Sequence, residues 1–326
     1  MADHDRCSAD YHRGMDPTGK RRGAEAGAKE LIWCEVIARS PDPTFVTDAE
    51  FVDRILATML PWRVKHIQSG IVMLLVPPGK FVMGTSPNDP AGEDDERPPH
   101  EVTLTRAFYL GETPVTQAQW SQVNSANPSK FGAVSGDAVD RLLRSGLTNE
   151  EATEKLRRSD SGMLPVERVS WDDAIQFVRK TGLELPTEAQ WEYACRAGVR
   201  TRRYGPLDLI AWHKGNATRQ TQPVKMKRAN ALGFYDMLGN VFEWCSDYYG
   251  KAFYDDERSR SIDPAGPSRG ARRVTIGGTN SSAGESRVLR GGSWECADKD
   301  CRASARKANS PEFGFPFIGF RVMKQA

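Results

Sequence analysis

Residues 211–326 contain no sustained helical period. Glycines, aromatics and turn residues take its place: Gly233-Phe234-Tyr235-Asp236-Met237-Leu238-Gly239-Asn240-Val241-Phe242-Glu243-Trp244, then Asp263-Pro264-Ala265-Gly266-Pro267, then a polar stretch over 277–284. With roughly a third of the chain irregular, the pattern is unlike an α/β barrel or a doubly wound sheet, which alternate strands and helices throughout. It fits a compact, loop-rich α+β domain held by aromatic packing.

The chain has 326 residues, enough for one large domain with an N-terminal extension. A net charge of +2 gives no field for nucleic acid, and Lys20-Arg21-Arg22 is a short basic run in a polar tail. No apolar run reaches a membrane-spanning length, and the charged N-terminus shows no secretory core; the expected location is the cytoplasm. Six cysteines are present without a Cys-x-x-Cys, and five histidines are scattered, which argues against zinc.

Residues 1–24 read as a disordered tail. Residues 25–60 read as a small helical extension, with Phe51, Val52, Ile55, Leu56 and Leu60 at helical spacing after an Asp48 cap. The main domain is expected over 61–326. Residues 71–76 read as a strand, with 80–84 as its partner after Pro77-Pro78-Gly79. The acidic run Glu93-Asp94-Asp95-Glu96 reads as an exposed loop.

Three helix starts carry one signal. Thr116 precedes Gln119, Ser170 precedes Asp173 and Thr187 precedes Gln190, each a capping-box spacing. These helices put Trp120, then Ala174, Phe177 and Val178, then Trp191 and Ala194, on core-facing sides. Gly182 and Gly198 are natural stops. Residues 133–163 read as an inserted helical hairpin, with a cap near Thr148 or Asn149.

The C-terminus mixes two kinds of position. Arg290-Gly291-Gly292-Ser293-Trp294, Cys301-Arg302, Arg306 and Ile318-Gly319-Phe320-Arg321-Val322 read as a frame. Between them Glu295, Cys296, Asp298, Asp300, Phe313, Phe315, Pro316 and Phe317 follow no helix or strand period. A fixed frame around an aperiodic, chemically mixed surface is how a binding or catalytic face is built. Phe313-Gly314-Phe315-Pro316-Phe317 suits a loop better than a core strand, because Gly and Pro interrupt it.

These stretches, together with Val76-Pro77-Pro78-Gly79-Lys80-Phe81-Val82-Met83-Gly84, Asn127-Pro128-Ser129, Val169-Ser170-Trp171 and Leu185-Pro186-Thr187-Glu188-Ala189-Gln190-Trp191-Glu192, resemble the formylglycine-generating enzyme (sulfatase-modifying factor) family. The likeness runs over about 61–323. It implies a variant of the C-type lectin fold, a scaffold that hosts both oxidases and binding proteins.

The copper oxidases of this family hold Cu(I) with two cysteines five positions apart. Cys296 and Cys301 match that spacing, and Ser293 matches the active-site serine. On that reading Cys296, Cys301 and Ser293 are catalytic and convert a substrate cysteine to formylglycine. Departures stand against it. Ala297 replaces a His, Asp300 replaces a Tyr, Phe242 replaces a Trp, and an Arg-Tyr-Arg segment is missing. The iron-dependent sulfoxide synthases need a helical domain with clustered histidines, and His4, His12 and His66 do not cluster. The resemblance also implies a structural Ca2+ held by Asp236, Glu243 and the carbonyls of Gly239 and Val241.

The same C-terminal pattern resembles the variable proteins of diversity-generating retroelements, which display diversified residues on this fold. The preferred expectation is therefore a binding protein. Its surface is formed by Trp294, Glu295, Cys296, Asp298, Asp300, Phe313, Phe315, Pro316 and Phe317, and it takes a protein or small-molecule ligand of unknown identity, with no nucleic acid and no membrane span.

Overall fold

The computed structural model describes residues 31–131, 143–151, 160–269 and 285–326. The chain divides into two units, Met1–Ile32 and Trp33–Ala326, and only residues 31 and 32 of the first are described. The expected tail over 1–24 lies outside the described residues, as does most of the 133–163 insert. At the described part of the insert, the Thr148 backbone N–H and hydroxyl both donate to Glu151, and the Glu151 N–H donates back to Thr148 Oγ1.

Strand β1 (Cys34–Ala38) and helix α1 (Ala49–Ala57) precede β2 (Arg63–His66), β3 (Val72–Val76) and β4 (Gly79–Met83). Next come β5 (His100–Leu104), β6 (Phe108–Gly111), α2 (Gln117–Val123), α3 (Trp171–Thr181) and α4 (Glu188–Arg196). The last third holds β7 (Phe242–Tyr248), β8 (Arg287–Arg290), β9 (Arg306–Asn309), β10 (Ile318–Phe320) and β11 (Met323–Gln325), with long irregular connections. The strands form a five-stranded sheet in the order β1-β2-β3-β6-β11, a four-stranded sheet in the order β10-β7-β8-β9, and the pair β4-β5. This is a loop-rich α+β fold. Among the described residues no helix is long and apolar enough to cross a membrane.

Local rules set the helices. Thr116, Ser170 and Thr187 each form the expected capping box, and Gly182 closes α3 at φ 66°. Trp120, Phe177 and Trp191 are buried as the helical spacing requires, and Trp120 stacks on Phe177 at 5.5 Å. Asp48 caps α1, which buries Phe51 and Ile55.

Strand partners depart from the sequence reading. Residues 80–84 were expected to pair with 71–76; instead β4 pairs with β5, and β3 lies between β2 and β6. Pro77-Pro78 cannot make a tight hairpin between β3 and β4, so β4 leaves the first sheet. Residues 25–60 contain a strand besides the expected helix: β1 is an edge of the five-stranded sheet, paired antiparallel with β2.

The acidic run corrects a second expectation. Asp95 and Glu96 are buried, not exposed. The Glu96 carboxylate is met by an arginine from the far end of the chain, as described next, and the Asp95 carboxylate accepts the Tyr249 hydroxyl.

Candidate functional site

Four arginines from the C-terminal frame are buried, and each meets a carboxylate. Arg290 donates to Glu188 at 2.8 Å and to Glu192 at 2.5 Å. Arg306 forks onto both oxygens of Glu188 at 2.7 and 2.8 Å and reaches the Asp95 carbonyl at 2.7 Å. Arg302 forks onto Glu96, and Arg321 forks onto Glu243 while donating to the carbonyls of Gly111 and Tyr235. Such planar, two-point contacts fix orientation as well as charge. Arg290, Arg302, Arg306 and Arg321 therefore pin the frame to α4, to the Glu93–Glu96 turn and to β7.

Two glycines bring the frame together. Gly292 has φ 77°, and a side chain there would sit 2.9 Å from Cys301 Sγ. At Gly314 an added Cβ would lie 2.3 Å from the Arg168 carbonyl oxygen. The 313–317 loop thus lies directly on the backbone of 168–170.

On this frame the segments 294–300 and 312–317 lie side by side. The Trp294 indole N–H donates to the Pro316 carbonyl at 2.9 Å, and the Trp294 ring meets Phe131 edge-on at 5.5 Å. Phe315 and Phe317 stack at 5.4 Å with planes 12° apart. The Phe315 carbonyl accepts the Arg168 N–H at 3.0 Å and the Phe317 carbonyl accepts the Phe242 N–H at 2.8 Å. Phe313 is exposed, while Trp294, Phe315, Pro316 and Phe317 are half-buried. The result is a band of aromatic rings with pinned backbone and partly open faces.

Carboxylates border the band. Glu295 and Asp298 are exposed and Asp300 is half-buried. Asp298 is held by Arg203, and Asp300 lies 3.6 Å from Lys307. Phe131, Arg168 and Arg203 were not foreseen as members of this surface, because they come from parts of the chain with no motif linking them to the C-terminus. Below it, Glu167 is fully buried. Its Oε1 accepts the Phe131 N–H at 2.8 Å, and burial raises its carboxyl to about 7.

Against known proteins, residues 64–326 match the family described as "Sulfatase-modifying factor enzyme 1-like domain". The chain belongs to the sulfatase-modifying-factor family. It is 33% identical to the formylglycine-generating enzyme of Streptomyces coelicolor over 77% of this chain and 88% of that one. Among solved structures it is similar to Treponema denticola variable protein 1, with 26% identity, a TM-score of 0.56, and coverage of 78% of this chain and 95% of the other. PvdO from Pseudomonas aeruginosa shares the fold at TM-score 0.59 and 22% identity, covering 81% of this chain and 98% of PvdO. The fold is thus the C-type-lectin-like one of the sulfatase-modifying factors.

In copper oxidases of this family, two cysteines bind the metal. Here Cys301 is buried, and Cys296 is half-buried with its Sγ 3.4 Å from Ser293 Oγ. Burial raises both thiols; Asp300 raises both further, and Asp298 also acts on Cys301. The two thiols are close enough that charge on Cys296 opposes charge on Cys301. Arg302, the nearest cation in sequence, is turned onto Glu96. Arg203 acts to lower Cys301 and Lys307 to lower Cys296, but burial outweighs both cations, so this member of the family keeps two soft donors with their thiols raised.

The calcium set behaves differently from its implied role. Both Glu243 oxygens are held by Arg321, at 2.8 and 2.9 Å, and Oε2 also accepts the Trp191 indole N–H at 2.7 Å. Asp236 is buried and accepts the Lys225 N–H at 2.9 Å, and burial raises its carboxyl to about 6. A hard cation needs carboxylate charge that is not already neutralised. In this arrangement Asp236, Gly239, Val241 and Glu243 do not fit a calcium ion, because Arg321 occupies the charge of Glu243.

Proposed function

We propose that this chain is a binding member of the sulfatase-modifying-factor family. Its ligand, a protein or a small molecule, is taken by the C-terminal face built from Trp294, Glu295, Cys296, Asp298, Asp300, Phe313, Phe315, Pro316 and Phe317. One observation carries this reading: the buried arginine–glutamate pairs hold the frame, while the residues between them carry partly open aromatic faces with little duty in the core. Aromatic side chains on pinned backbone offer large contact area at small entropic cost. The similarity to a variable protein supports the finer form of the proposal, in which these positions are diversified by a retroelement. No metal chemistry is required for that role.

Two measurements test it. Sequencing the 3′ end of the gene across a population is expected to show substitutions at codons 295–300 and 312–317, with Arg290, Arg302, Arg306 and Arg321 constant. An invariant end removes the diversified form. Copper titration with a Cys-x-Pro-x-Arg peptide addresses the oxidase reading. One-to-one Cu(I) binding lost in Cys296→Ala, together with formylglycine in the peptide, overturns the binding role.

A further inference from the structure

A second concave site lies apart from the C-terminal face. It is a cleft of about 480 Å³, within the size range of small-molecule pockets, and none of its lining residues belongs to 294–300 or 312–317. Helix α3 supplies one wall. Trp171, Ile175, Val178 and Arg179 recur at the spacing of a single helix face and all line the cleft. Leu185 lines it from the segment before α4, and Arg106 from the turn between β5 and β6.

Charge distinguishes this cleft from an ordinary surface groove. The four buried arginines of the C-terminal frame, Arg290, Arg302, Arg306 and Arg321, are each matched with a carboxylate. The Arg106 and Arg179 side chains are exposed at the cleft and make no hydrogen bond or ion pair with a described residue. Two acids also line it. Asp263 is occupied, accepting the Thr105 N–H at 2.9 Å and its hydroxyl at 2.5 Å. Glu184 is exposed, and its backbone pairs with Met323. The Trp171 ring is held in place: its N–H donates to the Cys245 carbonyl at 3.0 Å, and the Arg287 guanidinium packs 3.8 Å from its centroid. The wall is therefore preformed, apolar along α3, and flanked by two guanidinium groups free to take a carboxylate.

We infer that this cleft binds an apolar small-molecule anion, an alkyl or aryl carboxylate whose chain lies along Trp171, Ile175 and Val178 and whose head group meets Arg106 and Arg179. The inference is independent of what the C-terminal face binds.

Decanoate titrated into the full-length protein by calorimetry is the test. Saturable one-to-one binding is expected, at least tenfold weaker in R106Q/R179Q and abolished in Ile175→Trp, which fills the cleft. Thermal melting of each variant shows that it is folded. Glu184→Gln, which removes a like charge, is expected to tighten binding. Decyltrimethylammonium has the same chain with the opposite charge and is expected not to bind. The inference fails if decanoate does not saturate, if the cation binds equally, or if R106Q/R179Q binds undiminished. It also fails if F315S/F317S, altered only on the C-terminal face, loses decanoate binding.

Discussion

The guanidinium of Arg302 and the carboxylate of Glu96, 206 residues apart in sequence, form a two-point buried contact at 2.5 and 2.6 Å. Arg302 follows Cys301 directly, so this contact fixes the orientation of the segment that ends the first half of the display face. Burial alone would raise the Glu96 carboxyl, but the hydrogen bond and charge of Arg302 outweigh it and hold it below the ordinary range.

Breaking that pair from one side leaves a buried charge unmatched. Glu96→Gln or Arg302→Leu is expected to cost about 3–5 kcal/mol in urea unfolding, and the double variant to cost less than the two single changes together. Equal and additive costs would show that the two side chains do not act as a unit.

The pH dependence follows from the signs. Glu96 and Glu188 have depressed carboxyls, so the stability they contribute is present above the ordinary carboxyl range and is lost as pH falls through their folded values. Glu167 is raised from 4.5 to about 7, so its contribution is full below 4.5 and is lost as pH rises toward 7. Glu167→Gln is therefore expected to flatten the decline of stability between pH 4.5 and 7 while leaving the acid limb unchanged. Denaturation midpoints across that range check it, and an unchanged decline would show that Glu167 does not titrate there.

The two aromatic populations are expected to respond differently to truncation. Trp244 is fully buried and its indole N–H donates to the Val169 carbonyl, so Trp244→Ala is expected to cost about 3–5 kcal/mol. Phe315 and Phe317 are half-buried, and Phe315→Ser and Phe317→Ser are each expected to cost less than half of that. Equal losses would place the stacked pair in the core and undermine its assignment to a binding face.

Gly314 separates space from chemistry. Gly314→Ala drives a Cβ into the Arg168 carbonyl and is expected to cost about 1–3 kcal/mol, with faster proteolysis in the 313–317 loop. A neutral effect would show that the loop shifts freely off residues 168–170.

Thiol labelling distinguishes the two C-terminal cysteines. Cys296 is half-buried and Cys301 fully buried, and burial raises both. Cys296 is expected to react slowly in the native protein, faster as pH rises, with Cys301 reacting only on unfolding. Mass mapping after iodoacetamide treatment reads this directly, and rapid labelling of both thiols at neutral pH would favour the oxidase chemistry.

Much of the architecture was legible locally. The spacing of Thr187 and Gln190 announced the start of α4, and the positions of Ala174, Phe177 and Val178 announced its neighbour's buried face. Capping and helical period act within a few residues, so a single sequence displays them. The division of the C-terminus into frame and displayed positions was legible for a related reason: Gly314 and Pro316 deny a regular strand to the phenylalanines around them.

The arginine partners were not legible in the same way. Glu93-Asp94-Asp95-Glu96 has the composition of a solvated loop, and Glu188 and Glu192 look like ordinary helix-surface acids. All three glutamates that receive Arg290, Arg302 and Arg306 are nonetheless buried. For these three carboxylates a guanidinium replaces the lost hydration, and its arrival depends on chain crossings about 100 to 200 residues long. The sequence by itself determined the family, the helices, the loop-rich C-terminal third and the set of residues left free of periodic duty. Only the tertiary structure decided which charges are buried together, that Phe131 and Arg168 complete the aromatic band, and that Glu243 serves Arg321. Coulomb and hydrogen-bond matching act between segments that meet only once the chain has folded, whereas caps and periods act along it.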